Sequence, residues 1–163
     1  MNKQTIHNIL KSGAGLAALA LRVPVGVILA AHGAQKLFGW FGGYGLEGTG
    51  QWMASIGLEP GYLMALLAGS AEFYGGLALV LGLLTRPAAA VSAFTMLVAI
   101  FSVHFEHGLF LTNNGYEYAL ALFATTVALT IQGAGSFSVD NRLAKKLVGN
   151  ASVNEPSHLK QVA

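Results

Sequence analysis

Long apolar segments separated by short polar or glycine-rich loops dominate the chain. A helix needs about 20 mostly apolar residues to cross a hydrocarbon core of about 30 Å. Four segments approach that length, at about Ala14–Phe38, Gly61–Leu84, Pro87–Phe105 and Tyr116–Gln132. The pattern predicts an all-α fold, a membrane-embedded four-helix bundle.

The composition also indicates a membrane protein with a single domain. Of the 163 residues, 54% are hydrophobic and only 10% are charged, and the mean hydropathy is +0.58. Ordinary soluble domains carry charge on about a quarter of their residues. We predict a transmembrane domain over residues 1–140 and a polar cytoplasmic tail over residues 141–163, in which "GNASVNEPSHLKQVA" is a flexible segment. The absence of cysteine excludes thiol chemistry carried by this chain itself.

Most basic residues flank the predicted spans on one side. They precede the first span, lie between the second and third, and follow the fourth: Lys3, Lys11, Arg86, Arg142, Lys145, Lys146 and Lys160. The positive-inside rule then predicts a multi-pass protein of the bacterial inner membrane with both termini cytoplasmic. A cleaved signal peptide is the competing interpretation, because Ala18-Leu19-Ala20 fits a cleavage site, but the apolar stretch before that site is too short. No basic cluster on a soluble face indicates nucleic-acid binding.

The loop after the first span contains a G-x-G-x-x-G motif at Gly43, Gly45 and Gly48. A dinucleotide site needs this motif between a strand and a helix. Here it follows a membrane helix and is surrounded by aromatic residues, which are typical of the headgroup level of a bilayer. We therefore predict no nucleotide site, and expect a short interfacial helix over about Gln51–Ile56.

Arg22 and Glu72 are charged residues inside apolar spans. Such a group costs at least about 2.5 kcal/mol at a helix centre on insertion scales, so it needs a partner or a function. Counted from the span ends at about 1.5 Å per residue, the two residues lie at similar depths and on faces rich in small residues. We predict that they form an ion pair inside the bundle. A purely structural pair and a proton relay are equally compatible with that placement.

A second polar group lies at the outward ends of the spans. His32 and Lys36 close the first span, His104 nearly closes the third, and Glu117 opens the fourth. We predict that these four side chains line one outward-opening cavity. His104 and His107 have the i,i+3 spacing that can place two imidazoles on one metal ion or haem iron, although two histidines without a third ligand are more often interfacial residues.

The chain resembles the DoxX family of small four-helix membrane proteins from about Arg22 to Asp140. The resemblance is carried by "HGAQKLFGWFGGYGLEGTGQWMASIG", "AEFYGGLALVLGLLTRPAA", "HFEHG", "YEYALAL" and "GAGSFSVDNRL". It implies a four-helix inner-membrane bundle, whose family motifs correspond here to Arg22, His32, Lys36, Glu72, Arg86, His104 and Glu117. Some members are described as the membrane subunit of a thiosulfate:quinone oxidoreductase, and others as membrane partners in thiol and oxidative-stress assemblies.

Two functions from different classes fit the sequence. The first is a quinone-linked membrane subunit of an oxidoreductase assembly, which works with a redox partner protein, and in which Glu72, His104 or Glu117 supplies the protons that quinone reduction consumes. The second is a non-enzymatic membrane subunit whose outward pocket binds a partner protein, a small molecule or a metal ion. Transport fits less well, because four helices without an internal repeat leave a monomer little room for alternating access. The sequence does not decide whether the chain is catalytic alone.

Overall fold

The computed structural model describes residues 3–153, and within them every regular element is helical. The helices are α1 (Lys3–Leu10), α2 (Leu16–Phe38), α3 (Gly45–Ser55), α4 (Gly61–Leu81), α5 (Thr85–Ala99), α6 (Glu117–Gln132) and α7 (Val139–Val153). A π-helical segment, Ile100–His104, continues α5 directly. The predicted all-α fold is confirmed. We call the end of the bundle that carries α3 the outer end, and the end that carries α1 and α7 the inner end.

Three helices of the described chain are long and apolar enough to cross a membrane, not four as predicted. They are Leu16–Phe38, Gly61–Leu81 and Thr85–His107, the last of which includes α5 and its continuation. The predicted fourth span corresponds to α6, which is apolar but has only 16 residues. At 1.5 Å of rise per residue, α6 extends about 24 Å, which is less than a hydrocarbon core of about 30 Å.

Glycines bring α2 and α4 into close contact. A Cβ atom added to Gly26 would lie 2.6 Å from the carbonyl oxygen of Gly76, and one added to Gly76 would lie 2.5 Å from the carbonyl oxygen of Gly26. Two helical turns further out, a Cβ atom added to Gly33 would lie 2.7 Å from the carbonyl oxygen of Gly69. Small residues at such an interface let two membrane helices approach backbone to backbone. The antiparallel pair α2 and α4 is therefore held in a fixed register, which decides which polar side chains can meet.

The second half of the bundle packs against this pair. Helix α5 contacts both α4 and α6, and α6 also contacts α2. A core of buried side chains joins the four helices: Val25, Leu29, Leu79, Ala89, Met96, Leu122 and Leu129. Short helix α3 folds back over α4 at the outer end. It is longer than the predicted interfacial helix at Gln51–Ile56, since it begins at Gly45.

Arg22 is a fully buried structural residue of the inner end. Its guanidinium donates to the carbonyl oxygen of Leu79 at 2.8 Å and also to that of Val80, which are the last carbonyls of α4. It donates further to the carbonyl oxygen of Ala134 at 3.1 Å and to that of Phe137, in the turn after α6. Carbonyls at a helix C-terminus have no partner within the helix and carry partial negative charge, which a guanidinium satisfies. Arg22 therefore ties α2, α4 and the α6–α7 connection together.

The predicted ion pair between Arg22 and Glu72 is wrong. Glu72 binds Lys36 instead, with 2.6 Å between Nζ and Oε2. Side chains on a helix tilt toward its N-terminus. Arg22 therefore extends toward the inner end, away from Glu72, whereas Lys36 reaches back into the bundle and Glu72 on the antiparallel α4 leans outward to meet it. The prediction compared the depths of the backbone positions of Arg22 and Glu72 and did not include the direction in which their side chains extend.

The predicted polar tail begins as a helix. Ser138 Oγ accepts a hydrogen bond from the backbone N–H of Asn141 at 3.1 Å, which is the geometry of a helix N-cap. Buried Asp140 accepts from the backbone N–H groups of Leu84 at 2.7 Å and Thr85 at 2.9 Å, and so fixes the start of α7 against the start of α5. Helix α7 continues to Val153, so the first residues of the predicted flexible segment are helical. Residues 154–163 of that segment lie outside the described residues.

Candidate functional site

A charged pair lies in the outer half of the bundle, between α2 and α4. The Lys36 ammonium and the Glu72 carboxylate are 2.6 Å apart, and their side chains are 23% and 5% exposed. Glu72 is almost fully buried, so its charge is balanced by direct contact with Lys36 and not by water. Removing one partner from such a pair leaves an uncompensated charge in a medium of low dielectric constant. Each member of the pair is therefore needed to balance the other.

The pair lies in the wall of a cavity of about 190 Å³, which we call the main cavity. Its walls come from α2, α3, α4, α5 with its π-helical continuation, and α6. Aliphatic side chains predominate among the lining residues, and the polar ones are His32, Lys36, Glu72, Thr95, Ser102, His104 and Tyr118. A mostly apolar cavity with a few converging polar groups is the usual form of a small-molecule site.

His104 reaches the main cavity from the π-helical segment at the end of α5. Its Nδ1 lies 2.8 Å from the carbonyl oxygen of Asn114. Because a carbonyl oxygen can only accept, Nδ1 must carry the proton in this contact. In the neutral ring, Nε2 is then an acceptor, and it is the nitrogen left for the cavity.

His32 enters the main cavity from α2, one helical turn before Lys36. Its ring is packed against that of Tyr118 on α6, with centroids 6.1 Å apart and planes inclined by 51°. Both residues line the cavity. The contact orients the imidazole. It also adds a tyrosine to the cavity, which was predicted from the sequence without Tyr118.

The structure does not bring all the residues of the predicted site together. His32, Lys36, Glu72 and His104 line one cavity, but Glu117 does not. The Glu117 carboxylate instead accepts from the backbone N–H of Leu111 at 2.7 Å, and so holds the preceding loop onto the start of α6. The predicted place of Glu117 in the cavity is therefore wrong, because the next residue, Tyr118, lines the cavity in its place.

The two histidines proposed as metal ligands have different surroundings. His104 lines the main cavity, whereas His107 is exposed and does not line it. Within residues 3–153 no group of three His, Cys, Asp or Glu side chains is placed to hold a metal ion. Tight sites need three or four protein ligands. The pair of His104 and His107 therefore lacks the third protein ligand of a tight metal site within the described residues.

Trp52 and Tyr118 are among the lining residues that the sequence did not identify. Trp52 reaches the cavity because α3 folds back over α4, and no local signal in the glycine-rich loop specifies that reversal. Tyr118 follows Glu117 directly. Because Glu117 is charged, the sequence analysis predicted that its side of α6 lines the cavity, and the side that carries Tyr118 was missed. Its spacing from Leu122 and Leu129, which are buried on the same stripe, is a signal that could have identified it.

Comparison with known proteins assigns the chain to a family. The family model named DoxX matches residues 17–105, which cover α2 except for its first residue, the whole of α3, α4 and α5, and the Lys36–Glu72 pair. The chain belongs to the DoxX family, so the resemblance drawn from its motifs is confirmed.

Several bacterial proteins are similar along most of their length. "Putative oxidoreductase CatD" of Bacillus subtilis is 34% identical over 84% of this chain and 95% of its own. "Inner membrane protein YqjF" of Escherichia coli is 37% identical over 75% of this chain and 95% of its own. No solved structure matches. Together with the three span-length helices, these relatives identify a bacterial membrane protein.

Proposed function

We propose that this protein is a membrane subunit of an oxidoreductase assembly, and that the main cavity binds the ring of a quinone. The observation that carries the proposal is the combination in one intramembrane cavity of aliphatic walls with the Lys36–Glu72 pair, His32 and His104. The word oxidoreductase in the name of the Bacillus subtilis relative supports the class of reaction. The chain has no cysteine, so any redox chemistry must come from a bound group. A quinone is such a group, because it accepts or releases two electrons and two protons.

The residues present fit such a ring. A cavity of about 190 Å³ is of the order that holds a single six-membered ring, since an apolar cavity of about 150 Å³ binds benzene. Val98 and Ser102 line the cavity and are also exposed on the surface of the bundle, and a lipid-soluble molecule would enter on this side. Lys36 provides a charge-assisted donor, and the imidazoles provide groups that can either donate or accept.

The roles of the polar residues follow from their contacts. Lys36 would orient a carbonyl oxygen of the ring by donating one of its three N–H bonds while it remains bound to Glu72. His104, whose Nδ1 is occupied by Asn114, offers Nε2 as a site that accepts a proton and returns it. Glu72 would keep the ammonium in place and hold a second proton near the ring.

We extend the proposal to the topology. The outer end would face away from the cytoplasm and the inner end would lie in it, so that both termini are cytoplasmic. The basic residues support this direction, because Lys11, Arg142, Lys145 and Lys146 are all exposed at the inner end.

Exposed aromatic residues favour a second candidate function. Trp40, Phe41 and Tyr44 at the outer end are 55%, 73% and 82% exposed. Such a cluster fits either the headgroup level of the membrane or a partner protein. A non-enzymatic subunit would use this surface to bind a redox partner protein, and the main cavity would bind a small molecule or stay empty.

The two tryptophans allow a direct test, because only Trp52 lines the main cavity. We would purify Trp40→Phe and Trp52→Phe in lipid nanodiscs and titrate each with decylubiquinone while recording tryptophan fluorescence. Saturable quenching is expected in Trp40→Phe, where Trp52 remains, and only weak linear quenching in Trp52→Phe. Equal quenching in both variants would contradict a ring in the cavity. Mass spectrometry of the gently solubilised wild type would separately show a copurified quinone, or a soluble partner without one.

A further inference from the structure

A second cavity lies at the outer end, directly beside the main cavity. It encloses about 450 Å³ and is lined by three glycines and five larger residues, Gly42, Gly43, Gly48, Gln35, Lys36, Tyr44, Thr49 and Trp52. We call it the vestibule. Its walls come from the last turn of α2, the loop that follows and the first turns of α3.

The glycine-rich loop holds the vestibule in shape. Gly43 lies so close to α2 that an added Cβ atom would be 2.5 Å from the Cα of Gln35. The side-chain amide of Gln35 donates to the carbonyl oxygen of Phe41 at 3.3 Å, which joins α2 to the same loop. Gly43 of the glycine motif therefore serves a close approach of backbones, and the space beside it follows from that geometry.

The two cavities differ in the chemistry of their walls. Aliphatic side chains and methionines line most of the main cavity, whereas none lines the vestibule. The vestibule is lined by residues that carry an amide, an ammonium, two hydroxyl groups and an indole N–H. Such groups can form hydrogen bonds with water and small polar molecules at the outer end.

Lys36 and Trp52 are the residues common to both cavities. Glu72 lines only the main cavity, and its side chain is 5% exposed. Lys36 therefore binds Glu72 through its ammonium and also borders the vestibule. Lys36 and Trp52 stand where one space meets the other.

We infer that the vestibule is the aqueous entrance of the main cavity, through which protons and small water-soluble molecules reach the Lys36–Glu72 pair from the outer end. Lys36 and Trp52 form the partition that keeps bulk water out of the apolar space. This inference rests on the proposed function for its purpose. It makes the site two-sided, with a lipid-soluble ligand on one side of Lys36 and the aqueous phase on the other.

The natural absence of cysteine makes the partition testable by labelling single introduced thiols. Gln35→Cys places a thiol in the vestibule, Ala68→Cys places one in the main cavity, and Leu67→Cys is the matched control, since it is adjacent in sequence and 56% exposed on the bundle surface but lines neither cavity. Each protein is reconstituted in liposomes without quinone and treated with a charged, membrane-impermeant methanethiosulfonate from the outer end. We expect fast labelling of Gln35→Cys, labelling of Ala68→Cys at least tenfold slower, and none of Leu67→Cys.

Two changes at Lys36 then separate the partition from the charge. Lys36→Met and Lys36→Ala both remove the ion pair, but only alanine removes the side chain that fills the partition. In the Ala68→Cys background we expect labelling to be at least tenfold faster with Lys36→Ala than with Lys36→Met. If these variants do not fold, Trp52→Phe and Trp52→Ala make the same comparison from the other half of the partition.

Three results would overturn the inference. The first is that Gln35→Cys is not labelled. The second is that Ala68→Cys, with Lys36 in place, is labelled as fast as Gln35→Cys. The third is that Ala68→Cys is labelled at equal rates with Lys36→Met and with Lys36→Ala. Because the liposomes hold no quinone, these results do not depend on quinone binding. A failed fluorescence titration would likewise leave the labelling pattern unchanged.

Discussion

The Lys36 ammonium lies 2.6 Å from the Glu72 carboxylate, and the two residues are held there by the glycine contacts that set α2 against α4. Lys36 is one helical turn from Gly33, and Glu72 is one turn from Gly69 and from Gly76. Since helix side chains tilt toward their own N-termini, the antiparallel arrangement points these two side chains at each other. The register of the helix pair therefore determines which charges meet.

Breaking this pair on one side should cost more than removing it. Lys36→Met should lower the free energy of unfolding by about 3 to 5 kcal/mol, because it leaves the Glu72 carboxylate buried and unpaired. Glu72→Leu should cost less, because the Lys36 side chain is 23% exposed and can reach water. The double variant should recover most of the loss caused by Lys36→Met. Denaturant unfolding in detergent would measure all three, and additive losses in the double variant would contradict a direct ion pair.

Arg22 should behave differently, because its partners are backbone carbonyls. Arg22→Met should lower the free energy of unfolding by at least about 3 kcal/mol, since it leaves several carbonyls without a donor. Arg22→Lys should retain part of the stability. Glu72→Leu should not rescue Arg22→Met, and exposed Arg142→Met is the control that should change little. If Glu72→Leu did rescue Arg22→Met, the result would support an ion pair between Arg22 and Glu72, which the structure contradicts.

The glycine contacts between α2 and α4 predict a further loss of stability. Gly76→Ala adds a Cβ atom 2.5 Å from the carbonyl oxygen of Gly26, so the helices must separate, at a cost of about 1 to 3 kcal/mol. Gly13→Ala is the matched control, because a Cβ atom there meets nothing within 4 Å. Thermal melting in the same detergent would compare the two. A Gly76→Ala melting temperature equal to that of Gly13→Ala would show that this contact is not tight.

Much of the fold follows from the sequence because helical periodicity is a local property. The stripe of Gly26 and Gly33 and the facing glycines of α4 could be identified from spacing alone, and His32, Lys36 and His104 could be assigned to one end from the span boundaries. The partners of Arg22 could not, since they lie up to 115 residues away in a turn whose position depends on the packed bundle. The N-cap at Ser138 is a local signal, and the polar composition of the following segment obscured it.

The outer wall of the site was less predictable for a different reason. Trp52 lines both cavities because α3 folds back over α4, and that reversal depends on glycine conformations that no side-chain pattern specifies. Tyr118 and Glu117 differ by one position, or about 100° around a helix, so a small error in placing the inward face of α6 exchanges them.

The proposed topology has its own test. Reporter domains fused at Asn114 and after Lys146 should indicate opposite sides of the membrane, because the first position is at the outer end and the second follows the basic residues of the inner end. The Lys146 fusion should be cytoplasmic. Both reporters on one side would show that the bundle crosses the membrane in another way.

The two histidines near the end of α5 offer the most direct comparison of site and surface. His104 lines the main cavity, whereas His107, three residues further on, is exposed outside it. His104→Gln keeps a polar side chain but removes Nε2, the ring nitrogen that Asn114 does not bind. The loss of one neutral hydrogen bond to the quinone, about 1 kcal/mol, should weaken decylubiquinone binding roughly fivefold. His107→Gln should bind as the wild type does. The measurement is the saturable quenching of Trp52 in the Trp40→Phe background, with the melting temperature of each variant recorded beside it. If His104→Gln binds decylubiquinone unchanged, His104 serves only its contact with Asn114. If both histidine variants bind more weakly at unchanged melting temperature, the quinone ring lies nearer the membrane surface than the main cavity does.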